Sequence, residues 1–284
     1  MAEDHTKQHT VPSCYLANFG INGNESRKST IFYYNILSKK TGTSNLEKFP
    51  VDNNFYDVPE LGEYKKIIEH GFAKIEKEYT QLLKRLIDVL NIRIYRKNII
   101  KNLLTREEKQ KLAACFAIQM IRTKKHRDWH KYIYSQIVKG FPWHKFSEYG
   151  KKDFQRLHNK ELLSFDTANF YANIFEDWSW VLLVNDTDIP FITSDNPVIA
   201  INHGNAVHYS AISDDLTYFV PISPKYAVEI YPKNSKVKEF LVFNRLKERD
   251  VLGYNYNIIA NCSLMVYSNL NFDWLEEMRK NDKT

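Results

Sequence analysis

Between residues 60 and 90 the apolar positions Ile68, Phe72, Ile75, Tyr79, Leu82, Leu86 and Leu90 recur at intervals of three and four. That spacing lines one stripe of a helix and predicts a long amphipathic helix from about Glu60 to Leu90. A second helix is predicted to open at Thr105, which forms a capping box with Glu108, and to run through at least Arg122 and on towards Val138. A weaker helical pattern covers Lys151 to Leu163. The flanks read differently. Pro12 disfavours helical backbone before it, so residues 8–20 are expected to be extended. Ser29 to Ile36 reads as a strand and Asn54 to Val58 as a second short extended piece. Beyond residue 164, strands are predicted at Trp178 to Val184, Pro190 to Thr193, Leu216 to Pro221, Tyr226 to Tyr231 and Cys262 to Tyr267. Helices are expected at Val237 to Val251 and Phe272 to Arg279.

Strands, a block of helices and then more strands predict an α+β fold rather than an alternating βαβ one. The expected object is one compact domain over residues 1–284. Its helical block covers about 60–163, and its mixed sheet is built mainly from about 8–58 and 164–268, with flanking helices.

Composition fits that picture. Of the 284 residues, 43% are hydrophobic, 26% charged and 14% aromatic, so the chain is globular and large rings should fill much of its core. No apolar run approaches the roughly 20 residues that span a bilayer, and the start at Met1 has no apolar leader; no membrane association and a cytoplasmic location are expected. Cys14, Cys115 and Cys262 have neither metal spacing nor a disulfide framework and are expected to be buried, reduced thiols. The net charge of +6 is uneven: Lys84 to Lys160 holds 20 Lys/Arg against 6 Asp/Glu, which makes that segment +14 and the remainder −8. Such asymmetry points to a polyanionic partner, RNA, DNA or a nucleotide; the plain alternative is a lysine-rich solvated helical surface.

Four positions could carry chemistry. His9, in His-Thr-Val-Pro, offers an imidazole that titrates near neutrality and can act as acid, base or ligand, or is simply a histidine near a terminus. Gln119 and Arg122 continue the inward stripe Leu112, Cys115 and Phe116. An inward guanidinium needs an anionic partner, either a carboxylate of the chain or a substrate phosphate. Asp195, in Thr193-Ser-Asp-Asn-Pro197, either sits in a strand-end turn or faces a cleft, where it can hold a metal or pair with His9 or Arg122. Glu76 flanks the first helical stripe, and Glu78 is a near-equal alternative there. Lys124, Lys125 and Arg127 supply cations just beyond Arg122. Arg122, His126, Arg127 and His130 share a helix, but their spacings fit the Arg and His pair of helical ribonucleases poorly. No Gly-rich phosphate loop, Gly-x-Ser-x-Gly elbow or His-Glu-x-x-His motif is present, and the chain is read as having no His-x-x-x-His pair; zinc is therefore not expected, whereas a divalent ion such as magnesium is compatible with the chain.

His9-Thr-Val-Pro-Ser-Cys-Tyr15-Leu16-Ala-Asn-Phe19 resembles the HxVPxxYLxxF opening of a bacterial family known as domain of unknown function 4238. The resemblance continues through Phe55-Tyr56, Ile75-Glu76, Gln119-x-x-Arg122, Trp180, Thr193-Ser-Asp-Asn-Pro197-Val198, Pro221-Ile-Ser-Pro224, Asn255 and Val266-Tyr267. It implies a stand-alone bacterial protein of a kind found among anti-phage defence genes. It also implies motif roles for His9, Glu76, Gln119, Arg122, Ser194, Asp195 and Asn196. The basic tail after Arg122 lies outside it. Three readings follow. One is a phosphodiester-cleaving, nuclease-like effector with catalytic His9, Gln119, Arg122 and Asp195, and with Glu76, Ser194, Asn196, Lys124, Lys125 and Arg127 in binding roles. Another is a non-catalytic sensor of a nucleotide or phage component. The third is a buried polar network that only specifies the fold.

Overall fold

The computed structural model describes residues 7–21, 28–46, 51–93, 103–141, 149–204, 213–243 and 245–275. Strand β1 (Lys7–His9) leads into a short helix α1 (Ser13–Leu16) and a 3-10 turn (Ala17–Phe19). The hairpin β2 (Thr30–Asn35) and β3 (Lys40–Asn45) follows, then β4 (Val51–Asn53). A 3-10 stretch (Pro59–Tyr64) opens the helical block of α2 (Ile67–Arg93), α3 (Arg106–Ile121), α4 (Lys124–Gly140), α5 (Lys151–Ser164) and α6 (Asp166–Asp177). The rest is β5 (Ser179–Val184), β6 (Thr193–Ser194), β7 (Ile199–Asn202), β8 (Leu216–Pro221), β9 (Tyr226–Tyr231), β10 (Leu241–Phe243), α7 (Glu248–Asn261) and β11 (Met265–Ser268).

The strands form a ribbon, β1 with β4, and two larger sheets. One is five-stranded, in the order β10-β5-β9-β8-β7; the other is four-stranded, in the order β3-β2-β11-β6. The five-stranded sheet is mixed, because β10 runs parallel to β5 while its other pairs are antiparallel. Its central strands are buried on both faces, which is why Trp180 to Val184 reads as an unbroken apolar run. Alternation decides what each residue meets. Trp180, Leu182 and Val184 join the core that holds α2, α3 and α6. Val181 and Leu183 join the core that holds Val251 and Ile258 of α7. Rings set the layer contacts: Phe116 stacks on Trp180 at 5.4 Å, Phe175 meets Tyr218 at 4.8 Å, and Tyr254 lies flat on Phe219 at 4.5 Å. The α+β architecture, with a central helical block and a mixed C-terminal sheet, is therefore as the chain's pattern predicts.

Several elements differ from expectation, each for a local reason. Residues 8–20 are extended only as far as His9, because the Pro12 carbonyl accepts from Tyr15 and Leu16 (both 3.1 Å) and starts α1. Residues 54–58 are not a strand; β4 ends at Asn53, and Asn54 takes a left-handed turn at φ 52°. The first long helix starts at Ile67, since Gly62 at φ 54° breaks the preceding turn. The Thr105–Glu108 capping box forms as predicted, but the helix beyond it ends at Ile121, and Thr123 opens α4 by accepting from the His126 amide at 3.2 Å. Helix α6 and strand β7 were not expected. The stretch read as a helix over 237–251 holds β10 and only the start of α7. The predicted terminal helix begins at residues 273–275, and its remainder lies outside the described residues. Cys14, Cys115 and Cys262 are buried free thiols.

Candidate functional site

The residues of the polar motif converge where α3 ends against β1 and the 193–197 turn. Arg122, at the C-cap of α3, is 2% exposed. It donates to Glu76 Oε1 at 2.9 Å, to the His9 carbonyl at 2.7 Å and to Tyr56 Oη at 3.3 Å. Tyr56 donates back to the Arg122 carbonyl at 2.8 Å, and the guanidinium lies 4.2 Å over the Phe72 ring. Burial opposes its charge, but Tyr56 and Glu76 outweigh burial, so Arg122 stays protonated. Gln119, 1% exposed, accepts from Tyr79 Oη at 2.6 Å. The His9 ring bonds the Leu46 carbonyl at 3.2 Å, so it is the His9 backbone that reaches Arg122.

Asp195 has its own commitments. Its Oδ1 accepts from the Ser263 amide at 2.8 Å, and its Oδ2 accepts from the amides of Leu264 (2.8 Å) and Met265 (3.1 Å). Burial pushes the carboxyl pKa up, and those three amides oppose the shift. Ser194 closes the turn by bonding the Asn196 backbone on both sides, at 2.9 and 3.0 Å. Asn196 accepts from Thr123 Oγ1 at 3.4 Å and donates to the Asn261 carbonyl at 3.1 Å, tying the α3–α4 junction to the end of α7. In the same frame Tyr15 Oη bonds Thr193 Oγ1 at 2.8 Å and donates to the Pro221 carbonyl at 2.6 Å. The two halves meet through Thr123 and Asn196.

Beside this frame lies an open cleft of about 1060 Å³ between α4, α5, α6 and the β7–β8 edge. Asn196 and Lys125 line it; His9, Gln119, Arg122 and Asp195 do not. Three large rings on its walls are left about half exposed: Trp129 (52%), Tyr132 (54%) and Phe170 (48%). Lys125 is the motif-adjacent cation that reaches it. Lys124 pairs with Asp52 at 2.8 Å instead, and Arg127 donates to the Phe55 carbonyl at 2.7 Å while lying 3.4 Å over the Phe55 ring. Much of the basic segment is similarly matched by carboxylates from elsewhere: Lys111 by Glu78, Lys109 by Glu239, Arg106 by Glu176 and Arg156 by Glu60.

His126 and Glu161 also line the cleft. Four residues apart, His126 and His130 share one face of α4. Each places its Nε2 2.9 Å from Oε2 of Glu161 on α5. Burial alone would push the Glu161 carboxyl up, but the bonds from His126 and His130 outweigh it and hold the group well below the usual carboxylate range. His158 lies behind them with both nitrogens engaged, by the Ile121 carbonyl at 2.7 Å and by Arg127 Nε at 3.1 Å. Burial, with the charge of Arg127, lowers its pKa to about 3, so it is neutral, donates from Nε2 and accepts at Nδ1. Among the described residues His126, His130 and Glu161 form the cluster whose ligand atoms lie within 4.8 Å of one another. His126 and His130 form a His-x-x-x-His pair, contrary to the expectation that none is present; the pair is legible in the sequence, whereas Glu161, on another helix, is not. A second buried group also gave no signal: Glu229, 1% exposed, accepts from Thr217, Tyr231 and Tyr254.

The fold and this cleft define an α+β protein with an aromatic-rimmed, open site against an imidazole–carboxylate cluster. The family described as Protein of unknown function (DUF4238) matches residues 7–271, and the chain belongs to it. No curated protein and no solved structure matches the chain. No helix among the described residues is long and apolar enough to cross a membrane.

Proposed function

We propose that the chain is a defence-associated bacterial effector that takes a nucleotide or single-stranded nucleic acid into this cleft and hydrolyses a phosphodiester bond. The observation that carries the reading is the set Trp129, Tyr132 and Phe170, left exposed beside Lys125 and the His126–His130–Glu161 cluster. Exposed rings in a concave site offer stacking faces to bases, and a neighbouring ammonium offers a counter-charge to phosphate. In the reaction the oxygen of water bonds to phosphorus, the bond to the leaving sugar oxygen breaks, and a proton from the water ends on that oxygen. A specific observation favours a second reading, the non-catalytic sensor: His9, Arg122 and Asp195 are held by partners within the chain.

Two outcomes test the binding step. Trp129→Ala should weaken binding of a labelled single-stranded oligonucleotide roughly 5-fold to 150-fold, as loss of about 1–3 kcal/mol per stacked base requires. Affinity should also fall as salt rises, with a shallower slope for Lys125→Ala. Fluorescence anisotropy at two ionic strengths reads both. No binding at low salt, or equal binding by Trp129→Ala, would remove the cleft from the account.

A further inference from the structure

We infer that His126, His130 and Glu161 hold a divalent transition-metal ion, zinc first among them, with one coordination position open to the cleft. The three ligand atoms come from two packed helices, and both imidazoles address the same carboxylate oxygen at 2.9 Å. Ligands around one tetrahedral zinc, with bonds of about 2.0–2.2 Å, sit about 3.3–3.6 Å apart. The two nitrogen–oxygen pairs at 2.9 Å need to lengthen by only about half an ångström to match that spacing, and all three ligand atoms already lie within 4.8 Å of one another. The side chains are 14–19% exposed, and His126 and Glu161 line the cleft.

The surroundings set the type of site. His158 is near enough to be a fourth ligand, with ring centroids 5.9 and 6.2 Å from those of His126 and His130, but both its nitrogens are already bonded. Three protein ligands and an approach from the cleft make the catalytic rather than the closed structural arrangement of zinc. Two imidazoles disfavour magnesium, whose preferred donors are oxygens. Use of the ion rests on the phosphodiester reading: a metal-bound water gives a proton to solvent, its oxygen bonds to phosphorus, and the departing sugar oxygen takes up a proton. Binding of the ion does not rest on that reading.

The test uses the tag-free full chain, stripped with a chelator, then titrated with Zn²⁺ by calorimetry and with Co²⁺ by visible absorption. One equivalent should bind, with the intense d–d bands of a tetrahedral cobalt site. Glu161→Gln, which keeps size and a hydrogen-bonding oxygen, and His130→Ala should each weaken binding by more than the roughly 10–100-fold that loss of an outer partner costs. Melting temperatures of the metal-free proteins check that the variants fold. Absence of a stoichiometric ion, or binding unchanged in Glu161→Gln, overturns the site. One bound ion with no cleavage of nucleic acid upholds the site and defeats the phosphodiester reading. Cleavage that persists in excess chelator, with no ion bound, overturns the ion's part in the reaction and leaves the phosphodiester reading standing.

Discussion

Arg122→Ala is expected to destabilise the protein by about 3–5 kcal/mol, because it strands Glu76 and withdraws two donors from a closed network. Arg122 is 2% exposed and binds Glu76, the His9 carbonyl and Tyr56 together. Without it the Glu76 carboxylate, in a side chain 15% exposed, has lost its counter-charge, and the β1 segment has lost its tie to α3. At roughly 2–4 °C per kcal/mol for a chain of this size, the melting temperature should fall by about 6–20 °C. Adding Glu76→Gln to Arg122→Ala should recover part of the loss, since the stranded charge is then gone. An unchanged or raised melting temperature with activity lost would instead mean that Arg122 is kept for a substrate anion.

The second large effect falls on Asp195. Its carboxylate accepts from three consecutive amides, those of Ser263, Leu264 and Met265, and so sets the start of β11 against the 193–197 turn. Asp195→Ala leaves those amides without their acceptor and should cost about 2–5 kcal/mol, since bonds to a charged acceptor contribute more than neutral ones. Asp195→Asn should cost less but not nothing, because its NH₂ faces an amide donor where an oxygen had accepted. Chemical denaturation of the two variants measures the difference. Were Asp195 poised to hold a metal or to orient His9, Asp195→Asn would leave stability unchanged while abolishing turnover.

These two residues show how far the sequence reached. The inward position of Arg122 follows from helical spacing after Leu112, Cys115 and Phe116, and that position is observed. Whether its anionic partner was a carboxylate of the chain or a substrate phosphate depended on tertiary placement that no local pattern encodes; the structure sets Glu76 there. The strand-end turn around Asp195 was readable from Ser-Asp-Asn-Pro, but the three amides it serves lie nearly seventy residues away. Helix-period and apolar-run signals located α2, α3, α5, β5, β8 and β9 because those elements bury whole faces. Short elements left too few positions to read a period from: β7 alternates buried Ile199 and Ile201 with exposed Ala200 and Asn202 over only four residues, and β10 has three. The cleft was the least legible feature. Its rings at Trp129 and Phe170 sit on different helices, and only folding brings Glu161 to His126 and His130.

We propose that chemistry belongs to this cleft while the motif residues build its frame. The most direct measurement incubates purified wild type, His126→Ala and Trp129→Ala, at matched melting temperatures, with end-labelled single-stranded RNA and DNA pools. Fragments are expected from the wild type and intact strands from both variants. Equal fragmentation by wild type and His126→Ala would contradict the proposal and move the chemistry out of the cleft.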